Sequence, residues 1–180
     1  NGPTFVVDNP PNYSNYSVEF DGGDDHVDVG ASNAIMVGTN VSVSMWFKSD
    51  GGTTEEYMFQ NCKASISTNL SILLNSGSAG NISLLHWDGS AHHYLNYAGS
   101  ANDGNWHHVA VTTTSTAQVL YFDGISVGTS SEAFPNAASV DNTTISTVNI
   151  PFGGNIDEAA IWSAALDADA VAAVYNSGSP

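Results

Sequence analysis

Aspartates crowd one short, glycine-containing segment near the start of the chain. The segment contains Asp21, Gly22, Gly23, Asp24, Asp25 and Asp28. Ca²⁺ takes about six to eight oxygen ligands, from carboxylates and from carbonyls on turns, and glycine lets a backbone carbonyl turn toward an ion. The spacing is not that of an EF-hand loop. It predicts a structural calcium site with Asp21, Gly22 and Asp24 as ligands. The alternative is that these carboxylates are solvated or cap turns.

The charge balance narrows the range of partners. The 180 residues include 18 acidic side chains against two lysines, Lys48 and Lys63, and the formal net charge is −16. Nucleic acids, sulfated glycans, phosphorylated ligands and anionic membranes are all bound through clustered cations. The composition argues against these partners and leaves divalent cations and neutral, hydroxyl-rich ligands.

Histidines raise the question of a transition-metal site. His107 and His108 are adjacent, as are His92 and His93, and neighbours on a strand point to opposite faces. His86 and His92 flank a predicted turn and could meet across a hairpin, but zinc needs three or four converging ligands. We therefore expect the histidines to pack and to form hydrogen bonds rather than to bind zinc.

Aromatic and amide side chains on the same predicted hairpin are candidates for a carbohydrate site. Sugars stack their apolar faces on Trp or Tyr rings, which combine an apolar surface with a polar edge, while amides bind the hydroxyls. Trp87, His92, Tyr94 and Asn96 lie on this hairpin. The sequence predicts that these four residues bind a neutral glycan, with Trp87 as the stacking aromatic.

Alternation of apolar and polar residues with period 2 predicts the elements that carry these side chains. In residues 41–48 the apolar side chains share one face, while Trp46 lies on the other with serines, as in a half-buried antiparallel strand. Strand-like runs lie at 4–7, 17–20, 26–29, 41–48, 57–60, 70–74, 82–87, 92–97, 106–112, 119–122, 125–127, 144–148 and 157–162. Asp88-Gly89 and Asp123-Gly124 favour two-residue hairpins. We predict an all-β, two-sheet antiparallel sandwich.

One short helix is predicted near the C-terminus. Asp167 can cap its first turn, and Asp169 complements the positive end of the helix dipole. Residues 166–175 offer an apolar face at helical spacing. Gly178 then ends the helix.

Five segments in order resemble the laminin G-like, concanavalin A-like lectin/glucanase jelly-roll domains. They are residues 17–27, 41–48, 105–111 (with the Trp-His-His-Val-Ala strand), 120–124 and 154–167. The resemblance implies a jelly-roll sandwich over residues 16–176, with a lead-in segment or linker at 1–15 and a linker at 177–180. It also implies that the first and last strands pair. Such pairing would bring Asp157 toward Asp21 as a further calcium ligand.

The family includes polysaccharide hydrolases and lyases, so catalysis is the rival to binding. A retaining glycosidase needs two carboxyls about 5–5.5 Å apart, and the laminarinase and licheninase group carries Glu-x-Asp-x-x-Glu or a close variant, which this chain lacks. Glu19 and Asp21 alternate but open the turn assigned to calcium. A lyase of this shape uses an arginine, and the chain has none. We therefore expect a non-catalytic domain.

Composition favours an extracellular setting. Charged residues make up only 11% of a chain rich in Ser, Thr, Asn and Gly, which is typical of a secreted β-rich surface. The single Cys62 excludes an internal disulfide, and no apolar run approaches the roughly 18 residues of a spanning helix. We expect a recognition module for a neutral glycan or cell-surface ligand, with neighbouring domains in a larger surface or secreted protein. The alternative is a structural spacer or self-association domain of an adhesin or virion surface protein.

Overall fold

The computed structural model describes residues 2–8, 10, 16–31, 38–63, 66–88, 90–132 and 141–176, without the side chains of 63 and 66–69. The elements are β1 (Thr4–Val6), β2 (Ser17–Asp21), β3 (Val27–Gly30), β4 (Val41–Ser49), β5 (Glu56–Lys63), β6 (Ile66–Leu74), β7 (Ile82–Trp87), β8 (His92–Tyr97), β9 (His107–Thr113), β10 (Gln118–Phe122), β11 (Ile125–Ser130), β12 (Asn142–Ile145), β13 (Gly153–Trp162) and α1 (Ala168–Asn176). The linker predicted at 177–180, including Gly178, lies outside the described residues.

The strands form two antiparallel sheets. The seven-stranded sheet has the order β1-β2-β13-β4-β9-β10-β11, and the six-stranded sheet has the order β3-β12-β5-β6-β7-β8. The predicted all-β sandwich with one C-terminal helix is confirmed, as is the pairing of β2 with β13. Part of the segment predicted as a lead-in belongs to the sandwich, because β1 pairs with β2.

The core lies between the sheets and follows the alternation in the sequence. In β4, Val43, Met45 and Phe47 point inward and are fully buried. They pack in the same apolar cluster as Ile72 and Leu84 of the six-stranded sheet. Burial of these side chains supplies the hydrophobic free energy that holds the sheets together.

The helix covers the outer face of the seven-stranded sheet. Val171 packs on Ala110 and Tyr121, and Tyr175 stacks on Trp46 with ring centroids 5.4 Å apart. The predicted cap is confirmed, because Asp167 Oδ1 accepts a hydrogen bond from the backbone N–H of Ala170 at 2.8 Å. The outer face of the six-stranded sheet therefore lies on the side of the molecule opposite the helix.

Both predicted hairpins are present, but four residues separate β7 from β8, whereas two separate β10 from β11 as predicted. Asp123 and Gly124 join β10 to β11 with φ angles of 48° and 75°, as a two-residue type I′ turn requires. In the β7–β8 turn, Asp88 Oδ1 accepts hydrogen bonds from the backbone N–H groups of Ser90 and Ala91. The latter turn positions the aromatic hairpin singled out in the sequence.

Candidate functional site

Three aspartates of the predicted calcium segment converge at the turn between β2 and β3. One carboxylate oxygen from each of Asp21, Asp24 and Asp25 lies within 4.8 Å of the others. The backbone N–H of Asp21 donates to Asp25 Oδ2 at 3.1 Å, and that of Gly23 donates to Asp21 Oδ1 at 2.8 Å. Gly22 has a φ of 70°, which explains the glycine at this position. We call Asp21, Asp24 and Asp25 the acidic turn.

Asp25 is the least accessible member of the acidic turn. Its exposed fraction is 5%, and within the described part of the chain its buried Oδ1 has no hydrogen-bond partner. Burying a carboxylate oxygen without a hydrogen-bond partner lowers the stability of the folded state by about 1–3 kcal/mol or more. A bound cation would supply the missing interaction, so the donor set fits a hard, oxygen-preferring metal.

Asp157 does not lie where the resemblance implied. The pairing of β2 with β13 places Gly153 opposite Asp21 and Ile156 opposite Val18. Asp157 is therefore four residues further along β13, roughly 13 Å at the usual rise per residue. The sequence predicted a strand starting at 157, whereas β13 begins at Gly153, and this earlier start shifts Asp157 away. We correct the candidate ligand group by replacing Asp157 with Asp25.

A second group of carboxylates lines a cavity beside the acidic turn. The cavity has a volume of about 440 Å³. Its acidic lining residues are Asp21, Asp50, Glu55 and Glu56, and none of its described lining residues is basic. Sequence analysis missed this group because its members come from separate segments. The adjacent pair Glu55-Glu56 was the only local signal.

Glu56 is the buried member of this cavity. Its exposed fraction is 6%, and its pKa is raised to about 7, mainly by burial and in smaller part by the nearby Asp50 carboxylate. The backbone N–H of Gly153 donates to Glu56 Oε2 at 3.4 Å and partly opposes this rise. The folded chain therefore keeps a proton on Glu56 at pH values where an ordinary glutamate is ionised.

The four predicted glycan ligands converge on the β7–β8 hairpin. His92, Tyr94 and Asn96 alternate along β8 and are exposed, whereas the residues between them are half-buried. Trp87 is opposite His92 in the register, and the two rings lie 4.7 Å apart. Asn96 Oδ1 accepts a hydrogen bond from Ser83 Oγ at 2.6 Å.

The two aromatic residues of this face differ in accessibility. Tyr94 is 50% exposed. Trp87 is only half-exposed against His92, and its Nε1 is buried with no hydrogen-bond partner among the residues that the structure describes. Tyr94 therefore offers the more open ring for stacking. Tyr57, which sequence analysis did not select, lies near Tyr94, and burial raises its pKa to about 12.

Both histidines of the Trp-His-His segment pack as expected, but only His107 also has the expected side-chain hydrogen bonds, because the buried Nδ1 of His108 has no partner among the described residues. His108 is buried against the rings of Trp46 and Tyr175, and burial lowers its pKa to about 4. His107 lies between Asp123 and Asp103, with Nδ1 2.9 Å from Asp123 Oδ2. That hydrogen bond raises the pKa of His107.

The hairpin histidines pair differently from the sequence expectation. His86 is opposite His93 rather than near His92, and the two rings stack with centroids 4.9 Å apart. Glu132, beyond the end of β11, joins them, and one ligand atom from each of the three residues lies within 4.8 Å of the others. Sequence analysis missed this convergence because three strands of the chain lie between His93 and Glu132, and four lie between His86 and Glu132.

Comparison with known proteins agrees with this architecture. A sequence profile of the concanavalin A-like lectin/glucanases superfamily matches residues 21–172. The chain belongs to this superfamily. The laminin G-like resemblance of the sequence is thereby confirmed, while the superfamily by itself specifies no ligand. No curated protein sequence matches the chain.

Solved structures with the same fold come from several sources. A heptameric SAP-like pentraxin from Limulus polyphemus superposes with a TM-score of 0.70 at 16% identity, over 88% of this chain and 81% of that chain. The CBM40 domain of the Ruminococcus gnavus IT-sialidase superposes with 0.69 at 17% identity, over 88% and 96%. The botulinum neurotoxin serotype D binding domain superposes with 0.72 at 18% identity, over 91% of this chain but 43% of that chain. At these identities the likeness shows the fold.

None of the helical segments in the described ranges combines the length and apolar character that crossing a bilayer requires.

Proposed function

We propose that this domain is a non-catalytic carbohydrate-recognition module of a larger surface or secreted protein and that calcium stabilises it. The observation that carries the proposal is the exposed face of β8, where His92, Tyr94 and Asn96 lie beside Trp87. The CBM40 domain, which has the same fold, has also been solved bound to α2,3-sialyllactose, and this supports a glycan as the class of ligand.

The chemistry of this face suits an uncharged glycan. Tyr94 offers an apolar ring with a hydroxyl, Asn96 offers an amide, and His92 offers an imidazole. These groups can stack on sugar C–H faces and bind hydroxyls. The net charge of −16 disfavours polyanionic ligands by long-range repulsion.

A glycan array with variants of the aromatic face tests this proposal. We expect the wild-type domain to bind neutral glycans reproducibly and Tyr94→Ala or Trp87→Ala to lose most of the signal. Ile125→Ala is the matched control, because Ile125 is also exposed but lies on β11 of the other sheet. An array without wild-type binding, or binding that both aromatic variants retain, would contradict the proposal.

The catalytic alternative receives little support from the acidic cavity. Glu56 has a pKa near 7, as a general acid of a glycosidase would. Only 6% of the surface of Glu56 is exposed, however, so a substrate could hardly reach its carboxyl group. We therefore propose binding rather than hydrolysis.

The proposed calcium ligands are the residues of the acidic turn. The unpartnered Oδ1 of Asp25 supports this assignment, as do the three converging carboxylates. Calcium would neutralise part of the repulsion among these acids, while the chain positions the oxygens through the backbone hydrogen bonds of Asp21 and Gly23.

Thermal melting tests the calcium site. A ligand that binds only the folded state raises stability by mass action, so calcium should raise the Tm of the wild-type domain and a chelator should lower it. Asp25→Asn should abolish most of this shift, whereas Asp157→Asn should leave it intact. A wild-type Tm that does not respond to calcium would remove the site, and a larger loss for Asp157→Asn would restore the ligand set implied by the resemblance.

Self-association is a second candidate function, favoured by one surface. Phe5 and Val7 are 79% and 77% exposed, on or just beyond the edge strand β1. An edge strand can pair through its backbone with a strand of another chain, and exposed apolar side chains favour such a contact because it buries them. Sedimentation equilibrium should then show dimers that Phe5→Lys dissociates, and a monomer at all concentrations would contradict this role.

A further inference from the structure

His86, His93 and Glu132 form a compact group at one lateral edge of the sandwich. His86 and His93 are direct neighbours on β7 and β8, and Glu132 lies two residues beyond β11. β8 and β11 are the edge strands of the two sheets. The three side chains, which we call the edge histidine site, therefore close the gap between the sheets.

The possible ligand atoms of this group lie close together. The Glu132 carboxylate contacts His93 Nδ1, and one atom from each residue lies within 4.8 Å of the other two. A cavity of about 70 Å³ lies among them. The volume of this cavity is large enough for one metal ion and a water molecule bound to it.

Surrounding residues hold the two imidazoles in place. Asp88 Oδ2 lies 2.7 Å from His93 Nε2, so the carboxylate fixes the ring and leaves Nδ1 directed at the group. A carboxylate on the far nitrogen of a histidine is the usual outer partner of a metal-binding imidazole. On the other side, the buried Gln118 amide lies 3.5 Å from His86 Nε2 and donates to the Glu132 carbonyl oxygen at 3.3 Å.

Burial distinguishes this group from histidines scattered on a surface. His86 is 2% exposed, which excludes bulk water from one side of the group. Two imidazole nitrogens and one carboxylate form the type of ligand set that zinc and related divalent transition metals prefer, whereas calcium prefers oxygen alone.

We propose that the edge histidine site binds one Zn²⁺ through His86, His93 and Glu132, with a water molecule as the fourth ligand. The ion enters between His93 Nδ1 and the Glu132 carboxylate and replaces their direct contact, and the Nδ1 proton leaves to solvent. The bound ion joins β7 and β8 to the end of β11. The bound zinc therefore cross-links the two sheets. The proposed calcium site does not do so, because its ligands all come from the β2–β3 turn.

Zinc titration of the 180-residue chain, without a histidine tag, tests this proposal. We expect one equivalent of zinc to bind after chelator treatment and to raise the Tm. Substitution of Co²⁺ should give the visible absorption of a tetrahedral nitrogen–oxygen site. The affinity should fall by about tenfold or more in Glu132→Gln and in His93→Gln.

Matched variants separate a built site from adventitious binding. His92→Gln removes the neighbouring histidine on the opposite face of β8 and should leave zinc affinity unchanged, as should Asp25→Asn at the acidic turn. Glu132→Gln keeps the shape of the side chain and removes only its ion pair with His93. A Tm in chelator close to that of the wild type verifies that this variant folds. No binding by the wild type, or equal binding by wild type and Glu132→Gln, would overturn the proposal and leave His93 as an ion-pair partner of Asp88 and Glu132.

Discussion

At the scale of single residues, Glu56 shows how burial changes the response of this protein to pH. Its pKa is about 7 in the folded chain against an ordinary value of 4.5. The folded state therefore holds the proton more tightly than the unfolded state. The resulting stabilisation is complete below pH 4.5 and is lost as the pH rises through 7.

Glu56→Gln should remove this dependence on pH. The variant should have a higher unfolding free energy than the wild type at pH 8. This advantage should be roughly 2–3 kcal/mol larger at pH 8 than at pH 4.5, because one pKa unit corresponds to about 1.4 kcal/mol. Urea unfolding at both pH values in the presence of a chelator measures the difference. Glu55→Gln, at the adjacent and less buried carboxylate, is the matched control. Equal gains from the two variants would assign the effect to net charge rather than to burial.

At the scale of elements, the β10–β11 hairpin and the helix depend on each other. Gly124 has a φ of 75°, and a Cβ there would lie 2.7 Å from Tyr175 Cδ1. Gly104 has a similar φ of 79°, but a Cβ there would meet no atom within 4 Å. The two glycines therefore separate backbone strain from contact with the helix.

Gly104→Ala should lower the unfolding free energy by about 1 kcal/mol, because alanine disfavours the left-handed region. Gly124→Ala should lose about 1–3 kcal/mol more, because Tyr175 must shift from its place on Trp46. Thermal unfolding measures both losses, and tryptophan fluorescence should change mainly in Gly124→Ala. Equal losses in the two variants would show that the helix does not constrain this turn.

At the scale of the whole molecule, the charge of −16 opposes the compact state. Self-repulsion among the acids acts over the Debye length, which shortens from about 30 Å at 0.01 M to about 10 Å at 0.1 M salt. The acidic cavity and the acidic turn lie close together around Asp21, so they concentrate this repulsion at one end of the sandwich.

Raising monovalent salt should therefore raise the Tm of the metal-free domain, by about 2–4 °C for each kcal/mol of repulsion removed. Differential scanning calorimetry in chelator, from 0.01 to 0.2 M NaCl, measures this rise. Choline chloride should act equally, because screening does not depend on the cation. A rise with NaCl alone would indicate specific sodium binding instead.

Local patterns were sufficient to predict most of the strands, the hairpins and the helix cap, although not where every strand begins. The alternation in β4, the Asp123-Gly124 turn and the Asp167 cap each depend on residues that are neighbours in the chain, so the sequence contains all the relevant information. The sequence also placed His92, Tyr94 and Asn96 on one predicted hairpin, and the structure shows that they share the exposed face of β8.

Convergence of distant residues was decided by the tertiary structure. Asp157 lies away from the acidic turn because the register places Gly153, at the start of β13, opposite Asp21. The register determines which side chains of neighbouring strands lie side by side. His86 and His93 meet Glu132 because two edge strands of different sheets lie side by side. Register and the packing of one sheet on another are set by the summed burial of the whole core, and no local pattern contains that sum.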